Sequence, residues 1–306
     1  MTKISFILLI IGILLAPLTG AAAQGSEEPL RKKPFILCST TQLADFTRQI
    51  VGDHCRVQSV LGAGADPHTY MPTPKDAQLA LKADLCIENG LHLEGKNWMA
   101  TLAKDAGKPV AVATEGLKPL ELDQGGTKVR DPHAWFTPRN AALYVNNIVR
   151  AVSRLDPEGK SEYEARAKLF LQQLRVLDAW IRSQFNAIPP DGRILVTSHD
   201  AFNYFAEEYG FKNQAPVGWS TGSEVGAGMT PERRRLVVDS IKKFNVRTVF
   251  VETSVNPKLI RELAREAGVK VGGQLYSDSM GPAGSAGETY IGMMRENVLT
   301  ILNGLK

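Results

Sequence analysis

Two short segments of this 306-residue sequence share one pattern: an aspartate, a proline and a histidine, followed by an aromatic residue. They are Asp66-Pro67-His68-Thr69-Tyr70 and Asp131-Pro132-His133-Ala134-Trp135-Phe136. The chain has only five histidines, so the presence of two of them in matching segments indicates a shared role. Proline restricts its own backbone and that of the residue before it, which helps to hold the following imidazole in one direction. We therefore expect both rings to point at one metal ion.

Two more residues that commonly bind metal ions occupy equivalent places in the second half of the chain. Each of the four candidates follows a predicted strand, and they are His68, His133, His199 and Asp278. Ligands bind beyond the carboxyl ends of strands in parallel α/β sheets, so the four side chains are expected to meet in one cleft. Three imidazoles and a carboxylate suit zinc (Zn²⁺), and manganese (Mn²⁺) is compatible if the carboxylate binds through both oxygens.

The imidazole rings need carboxylates or carbonyls to orient their second nitrogens. Acidic residues close to strand ends could do this, namely Asp66, Asp131, Asp200 and Glu252. Glu252 is the favoured candidate, because a carboxylate after an apolar strand is unfavourable to bury without a partner. Of the remaining histidines, His54 is expected in a solvated turn, and His92 lies near the rim of the predicted cleft without being a predicted ligand.

The elements that must position these residues alternate between strand and helix, which is typical of a parallel α/β sheet. Strands are predicted at 35–39, 56–61, 84–88 and 110–113, and again at 193–197, 247–252 and 269–275. Between the two sets, residues 161–187 contain no glycine or proline and carry one apolar stripe at helical spacing. The predicted architecture has two lobes, each with a parallel sheet flanked by helices, joined by one long rigid connector helix. A single large domain in which this helix is one more surface helix is the alternative.

The predicted boundaries are 35–157 for the N-terminal lobe, 158–188 for the connector helix and 189–306 for the C-terminal lobe. Residues 1–23 have the features of a cleaved signal peptide: Lys3, an apolar stretch over 4–15 and Ala21-Ala22-Ala23. A mobile lead-in over 24–34 would follow. Since there is no cysteine near the cleavage site, we expect a soluble periplasmic protein without a lipid anchor. The net charge of +4 is too mild to indicate binding to nucleic acid.

The three cysteines are Cys38, Cys55 and Cys86, and two of them lie in predicted buried strands. They are expected to be buried thiols that pack as small apolar side chains. A disulfide between Cys38 and Cys86, on neighbouring strands, is the alternative.

Taken together, the motifs resemble those of a known family. They are the two Asp-Pro-His segments, Asn89-Gly90-Leu91-His92-Leu93-Glu94, Ser198-His199-Asp200-Ala201-Phe202 and Ser277-Asp278-Ser279-Met280-Gly281. In this order they are similar to the cluster A-I metal-binding receptors of ABC importers, and closest to the TroA-like zinc/manganese type. The resemblance implies a monomeric, non-enzymatic solute-binding protein with two α/β lobes and a rigid helix. It also implies His68, His133, His199 and Asp278 as ligands, and delivery of the metal to an ABC permease in the inner membrane.

The chain departs from two patterns within that family. Manganese- and iron-type members usually carry a glutamate at the position of His199. Dedicated zinc members usually carry a histidine-rich loop before the second Asp-Pro-His, whereas residues 117–130 here contain no histidine. The resemblance therefore leaves the choice between zinc and manganese open. A zinc-dependent hydrolase and a metal-binding surface adhesin are the alternative functions.

Overall fold

The computed structural model describes residues 32–124, 127–213, 231–243 and 246–306. The predicted signal peptide at 1–23 and most of the predicted lead-in lie outside the described residues. Lys33–Lys306 form one compact unit. The lobe boundaries given above consequently stay a prediction.

The first half of the chain alternates strictly between strands and helices up to its fourth strand. Its elements are β1 (Phe35–Cys38), α1 (Thr41–Val51), β2 (Arg56–Ser59), α2 (Pro74–Lys82), β3 (Leu85–Glu88), α3 (Trp98–Asp105) and β4 (Val110–Val112). The four strands form one parallel sheet in the order β2-β1-β3-β4. The order reverses between β1 and β3, which is the kind of position where α/β sheets bind ligands.

The second half contains the remaining strands and most of the longer helices. After a hairpin of β5 (Glu121–Gln124) and β6 (Thr127–Arg130) come α4 (Pro138–Leu155), α5 (Lys160–Phe185), β7 (Ile194–Leu195), α6 (Asn203–Tyr209) and β8 (Lys212–Asn213). The described chain then continues with α7 (Pro231–Lys243), β9 (Thr248–Glu252), α8 (Pro257–Ala267), β10 (Lys270–Leu275) and α9 (Tyr290–Leu305). Strand β7 is shorter than the predicted 193–197, since within the described residues its pairing with β8 covers Ile194 and Leu195.

The strand order of the first sheet is repeated in the second half. Strands β7 and β8 pair in parallel, as do β9 and β10. The backbone nitrogen of Phe250 in β9 donates to the carbonyl of Val196, directly after β7, at 2.8 Å. The two pairs are separate two-stranded sheets, and this hydrogen bond sets β7 beside β9. The resulting order β8-β7-β9-β10 matches β2-β1-β3-β4. The α/β class with parallel sheets flanked by helices is thus confirmed. What the two halves share is the order of their strands.

The predicted connector helix is present as α5, with 26 residues and a length of about 39 Å. Its apolar stripe is buried, as the spacing predicts, and consists of Tyr163, Phe170, Leu174, Leu177, Ile181 and Phe185. This face packs against α4, α1 and α9. The same core therefore includes elements from both halves of the chain.

The starts of the helices near the site follow from local capping. The Asp76 carboxylate accepts hydrogen bonds from the backbone nitrogen and hydroxyl of Thr73, both at 2.7 Å, and Pro74 is the first residue of α2. Thr137 caps α4 by accepting from the nitrogen of Asn140 at 3.1 Å. Threonine followed by proline is the sequence pattern that predicts both helix starts.

All three cysteines are buried thiols, which confirms the expectation. The alternative disulfide is wrong for a geometric reason. Cys86 lies beside Leu37 in the parallel register, so it and Cys38 project to opposite faces of the sheet. Cys38 packs in one hydrophobic cluster and Cys86 in another.

The predicted elements did not include the β5–β6 hairpin, strand β8 or the C-terminal helix α9. Helix α9 carries Tyr290, Met293, Val298 and Ile301 into the core. It also begins after Thr289, whose hydroxyl accepts from the nitrogen of Gly292 at 3.1 Å. Within the described ranges, none of the helices combines the length and the apolar character needed to cross a bilayer.

Candidate metal centre

The four residues selected from the sequence come together at one point. One nitrogen or oxygen atom of each lies within 4.8 Å of the corresponding atoms of the others, and the residues are His68, His133, His199 and Asp278. They lie in the segments between β2 and α2, β6 and α4, β7 and α6, and β10 and α9. The His133, His199 and Asp278 side chains are at most 2% exposed, and that of His68 is 5% exposed.

The separations between the facing atoms are close to those of ligands that share one ion. His68 Nε2 lies 3.2 Å from His133 Nε2, and Asp278 Oδ1 lies 3.4 Å from His133 Nε2 and 3.8 Å from His68 Nε2. Asp278 Oδ2 lies 3.2 Å from His199 Nε2. Ligands bound tetrahedrally to zinc at 2.0–2.1 Å are about 3.3 Å apart. The cluster therefore has the dimensions of a compact four-ligand site.

The two Asp-Pro-His segments have the same local structure. The backbone nitrogen of His68 donates to Asp66 Oδ1 at 2.8 Å, and that of His133 donates to Asp131 Oδ1 at 2.9 Å. Each proline carbonyl also accepts a hydrogen bond from a distant side chain. Trp98 Nε1 donates to Pro67 at 2.9 Å, and Asn89 Nδ2 donates to Pro132 at 3.0 Å.

A buried carboxylate, Glu94, holds the turn that carries Asn89. Glu94 Oε1 accepts from the Ser39 hydroxyl and from the backbone nitrogen of Asn89, both at 2.7 Å, and Oε2 accepts from the nitrogen of Gly90 at 3.1 Å. Burial raises the pKa of Glu94 despite these hydrogen bonds. His92, in the same turn, is exposed and lies outside the cluster.

Two of the four acidic residues named from the sequence reach an imidazole ring. Asp131 Oδ1 lies 2.7 Å from His133 Nδ1, and Glu252 Oε2 lies 2.5 Å from His199 Nδ1. Glu252 Oε1 also accepts from the backbone nitrogen of His199 at 2.9 Å. With both Nδ1 atoms engaged, the Nε2 atoms face the cluster. Asp66, in contrast, contacts the backbone of its own turn.

The charges of the site favour a cation. Burial lowers the pKa of His133, but the Asp131 carboxylate outweighs this and, with Asp278, raises that pKa to about 9. For His199, burial is likewise outweighed by Glu252 and Asp278, and its pKa is well above the usual range. Burial would raise the pKa of Asp278, yet the adjacent histidines hold it well below the usual range. Three buried carboxylates thus surround a small volume that attracts positive charge.

A divalent cation fits the groups that are present. Among the described residues, Asp278 Oδ1 is buried and accepts no hydrogen bond. A buried polar atom without a partner is unfavourable, and a metal ion would satisfy it. The donor types, three imidazole nitrogens and one carboxylate, suit zinc and also transition metals that accept imidazole.

Sequence reasoning did not find Trp98 and Asn89 as supports of the site. Both act on proline carbonyls that lie 31 and 43 positions away in the chain, respectively. The position of Asn89 directly after β3 was a usable signal, since residues at strand ends gather at one edge of a parallel sheet.

A buried cluster of imidazoles and a carboxylate, beyond the carboxyl ends of parallel strands, defines a receptor for a metal ion. Residues 36–304 match the family model described as "ZnuA: Zinc-uptake complex component A periplasmic". The chain belongs to this family, the substrate-binding components of metal ABC transporters.

Named relatives and a solved structure agree with this assignment. The manganese-binding lipoprotein MntA of Bacillus subtilis is 37% identical over 94% of this chain and 95% of its own length. The manganese ABC transporter substrate-binding lipoprotein PsaA of Streptococcus pneumoniae is 31% identical over 98% of this chain and 96% of its own length. The periplasmic zinc-binding protein TroA of Treponema pallidum superposes with a TM-score of 0.82 and 29% identity, covering 90% of this chain and 99% of its own. The two-lobed fold with a long connecting helix is thereby confirmed.

The comparison contradicts the predicted location, a soluble periplasmic protein without a lipid anchor. MntA and PsaA are both named lipoproteins, a class held at a membrane by attached lipid. The prediction rested on the absence of a cysteine near Ala23. The prediction of an unanchored protein is therefore not retained.

Proposed function

We propose that this protein captures one divalent metal ion with His68, His133, His199 and Asp278 and delivers it to the membrane permease of an ABC importer. The observation that carries the proposal is the convergence of four buried donor atoms within 4.8 Å of one another. All four donors come from one chain, so a monomer is sufficient for binding. Two precede α5 and two follow it, so a bound ion links both halves of the chain.

The metal is zinc or manganese. Three imidazole nitrogens with one carboxylate oxygen make a donor set of the kind that zinc takes in tetrahedral sites. Manganese prefers more oxygen and would need both carboxylate oxygens of Asp278. TroA is named for zinc, and MntA and PsaA for manganese. Both metals are therefore used in the test.

The alternative function is a zinc-dependent hydrolase, and the donor set argues against it. A catalytic zinc keeps a position open for water and has a general base nearby. Here the four proposed donors are as many as a tetrahedral zinc ion binds, so they would leave no position open. Two further buried carboxylates beside the cluster, those of Asp131 and Glu252, are already engaged with the Nδ1 atoms of His133 and His199. This arrangement supports binding and release of the ion without chemistry on a second substrate.

The test is a titration of metal-free protein with Zn²⁺ and with Mn²⁺, followed by calorimetry and thermal unfolding. We expect one ion per chain and a rise in melting temperature, because an ion that binds only the folded state stabilises it. His133→Ala should remove most of both signals. His54→Ala is the matched control, since His54 is half-exposed and pairs with Glu162 at 2.7 Å, away from the cluster. Absence of binding, or binding that survives His133→Ala, would overturn the proposal, as would metal-dependent ester or peptide hydrolysis.

A further inference from the structure

The two carboxylate oxygens of Asp278 have different surroundings. Oδ1 faces His68 and His133 and makes no hydrogen bond within the described residues. Oδ2 lies 3.2 Å from His199 Nε2 and accepts a hydrogen bond from the Ser254 hydroxyl, also at 3.2 Å. One oxygen is therefore available to an ion, whereas the other is already shared.

Ser254 is held in place by a second serine. It follows β9 by two residues, and its hydroxyl lies 2.7 Å from that of Ser277. Ser277 is fully buried, and its carbonyl accepts a hydrogen bond from Gln42 Nε2 at 3.0 Å. When Ser254 donates to Asp278, the Ser277 hydroxyl can donate to Ser254. The hydrogen-bond chain from Ser277 through Ser254 thus ends on Oδ2.

A hydroxyl that donates to Oδ2 occupies one of its lone pairs and stabilises its negative charge, so this oxygen becomes a weaker ligand. Asp278 then favours binding through Oδ1 alone. Three imidazole nitrogens and one oxygen give a coordination number of four, which zinc accepts. Manganese, which prefers more oxygen ligands, would need Oδ2 as well.

We propose that Ser254 is a specificity-determining residue, which keeps Asp278 monodentate and biases the site towards zinc over manganese. The inference rests on the proposed function, because it concerns how the same four-residue site chooses its ion. Ser254 acts through Asp278 and is a positioning residue. It need not touch the ion itself.

The test compares Ser254→Ala and Ser254→Thr with the parent protein in competition titrations with Zn²⁺ and Mn²⁺. Removing a hydrogen bond to a charged group should shift the ratio of the two affinities towards manganese by about tenfold. One ion per chain should still bind. Threonine retains the hydroxyl and should keep the parent ratio. Ser59→Ala is the matched control, because the Ser59 hydroxyl bonds the carbonyl of Leu61 at 2.7 Å and lies outside the cluster.

A spectroscopic readout separates positioning from a general loss of structure. Four-coordinate Co²⁺ absorbs visible light much more strongly than five- or six-coordinate Co²⁺. The cobalt-loaded parent and Ser254→Thr should show intense bands, and Ser254→Ala should show weaker ones. An unchanged affinity ratio, an unchanged cobalt spectrum, or an equal loss of both metals in Ser254→Ala overturns this inference. Failure of the parent to bind any metal would instead overturn the proposed function.

Discussion

Asp131 accepts two hydrogen bonds from His133 through a single carboxylate oxygen, one from the backbone nitrogen at 2.9 Å and one from Nδ1 at 2.7 Å. Its other oxygen accepts from Asn203 Nδ2 at 3.1 Å, in the first residue of α6. Asp131 is completely buried. The carboxylate therefore fixes the position of the His133 backbone and the orientation of its ring. It is held in turn by Asn203, which follows α5 in the chain.

Asp131→Asn should weaken metal binding by about 10- to 100-fold, the usual cost of losing a partner that orients a ligating histidine. The neutral amide no longer raises the basicity of the imidazole through charge, and it can present a donor to Nδ1 where an acceptor is needed. The measurement is a competition titration against a chelator of known affinity. Asp53→Asn, the same change at an exposed turn, is the control and should bind as the parent does. Equal affinity in Asp131→Asn would contradict the assigned role.

The cysteines offer a chemical test of the core around β1 and β3. Burial raises the pKa of Cys38 to about 12 and that of Cys86 to about 11, so almost no thiolate is present at neutral pH. Alkylation requires the thiolate and access to it. Native protein should therefore resist iodoacetamide, and unfolded protein should take up three labels without added reductant. Labelling that appears only after a reductant is added would reveal a disulfide and would contradict the structure.

The convergence of the four proposed ligands could be predicted from the sequence because each of them has a local sequence signal. His68 and His133 lie in repeated Asp-Pro-His segments, while His199 and Asp278 lie within four residues of the ends of β7 and β10. Convergence then follows from a property of all parallel sheets, whose strand ends gather at one edge. The role of Glu252 was predictable for a similar reason, since an acid that ends a buried strand needs a partner.

Contacts between distant parts of the chain were not predictable in this way. The hydrogen bonds from Trp98 and Asn89 to the two proline carbonyls depend on how α3 and β3 pack beside the site. The repeated strand order depends on a single link between Phe250 and Val196. No local pattern specifies such pairings. Helix α9 is different, because its apolar spacing and its Thr289 cap are both readable in the sequence.

Glu88, at the end of β3, makes the stability of the protein depend on pH. Burial, and then the charge of Glu94, raise its pKa from 4.5 to about 7. Between these two values the unfolded chain has released the proton while the folded protein still holds it, so stability falls as the pH rises from about 4.5 to about 7.

Glu88→Gln should remove the fall in stability between about pH 4.5 and about pH 7. Since the carboxylate is partly exposed, we expect the variant to be more stable than the parent by about 1–2 kcal/mol at pH 8, and equally stable near pH 4.5. Chemical denaturation at both pH values measures the difference. Glu115→Gln, at a side chain that is 74% exposed, should show no such pH-dependent gain. A gain of equal size at both pH values would mean that the effect comes from packing and not from the proton.

Adding a methyl group at Gly95 should disturb the metal centre by displacing the backbone of His68. Its φ of 49° lies in the left-handed region, and a Cβ built there would lie 2.3 Å from the carbonyl oxygen of His68. A flexible side chain could move aside, but this carbonyl belongs to the segment that carries the ligand. Gly95→Ala must therefore displace the backbone of His68. We expect weaker metal binding together with a loss of about 1–3 kcal/mol in the free energy of unfolding.

Gly107→Ala is the control that distinguishes the steric clash at Gly95 from the cost of a positive φ alone. Gly107 also has a positive φ, 64°, but an added Cβ would meet nothing within 4 Å. That variant should lose only about 1 kcal/mol of stability for the left-handed conformation and should bind metal as the parent does. The two variants are compared by denaturation of the metal-free proteins and by titration with Zn²⁺. If both bind equally well, the carbonyl of His68 can shift without moving its imidazole, and the position of that ring is set by the Asp66 turn and by Trp98 instead.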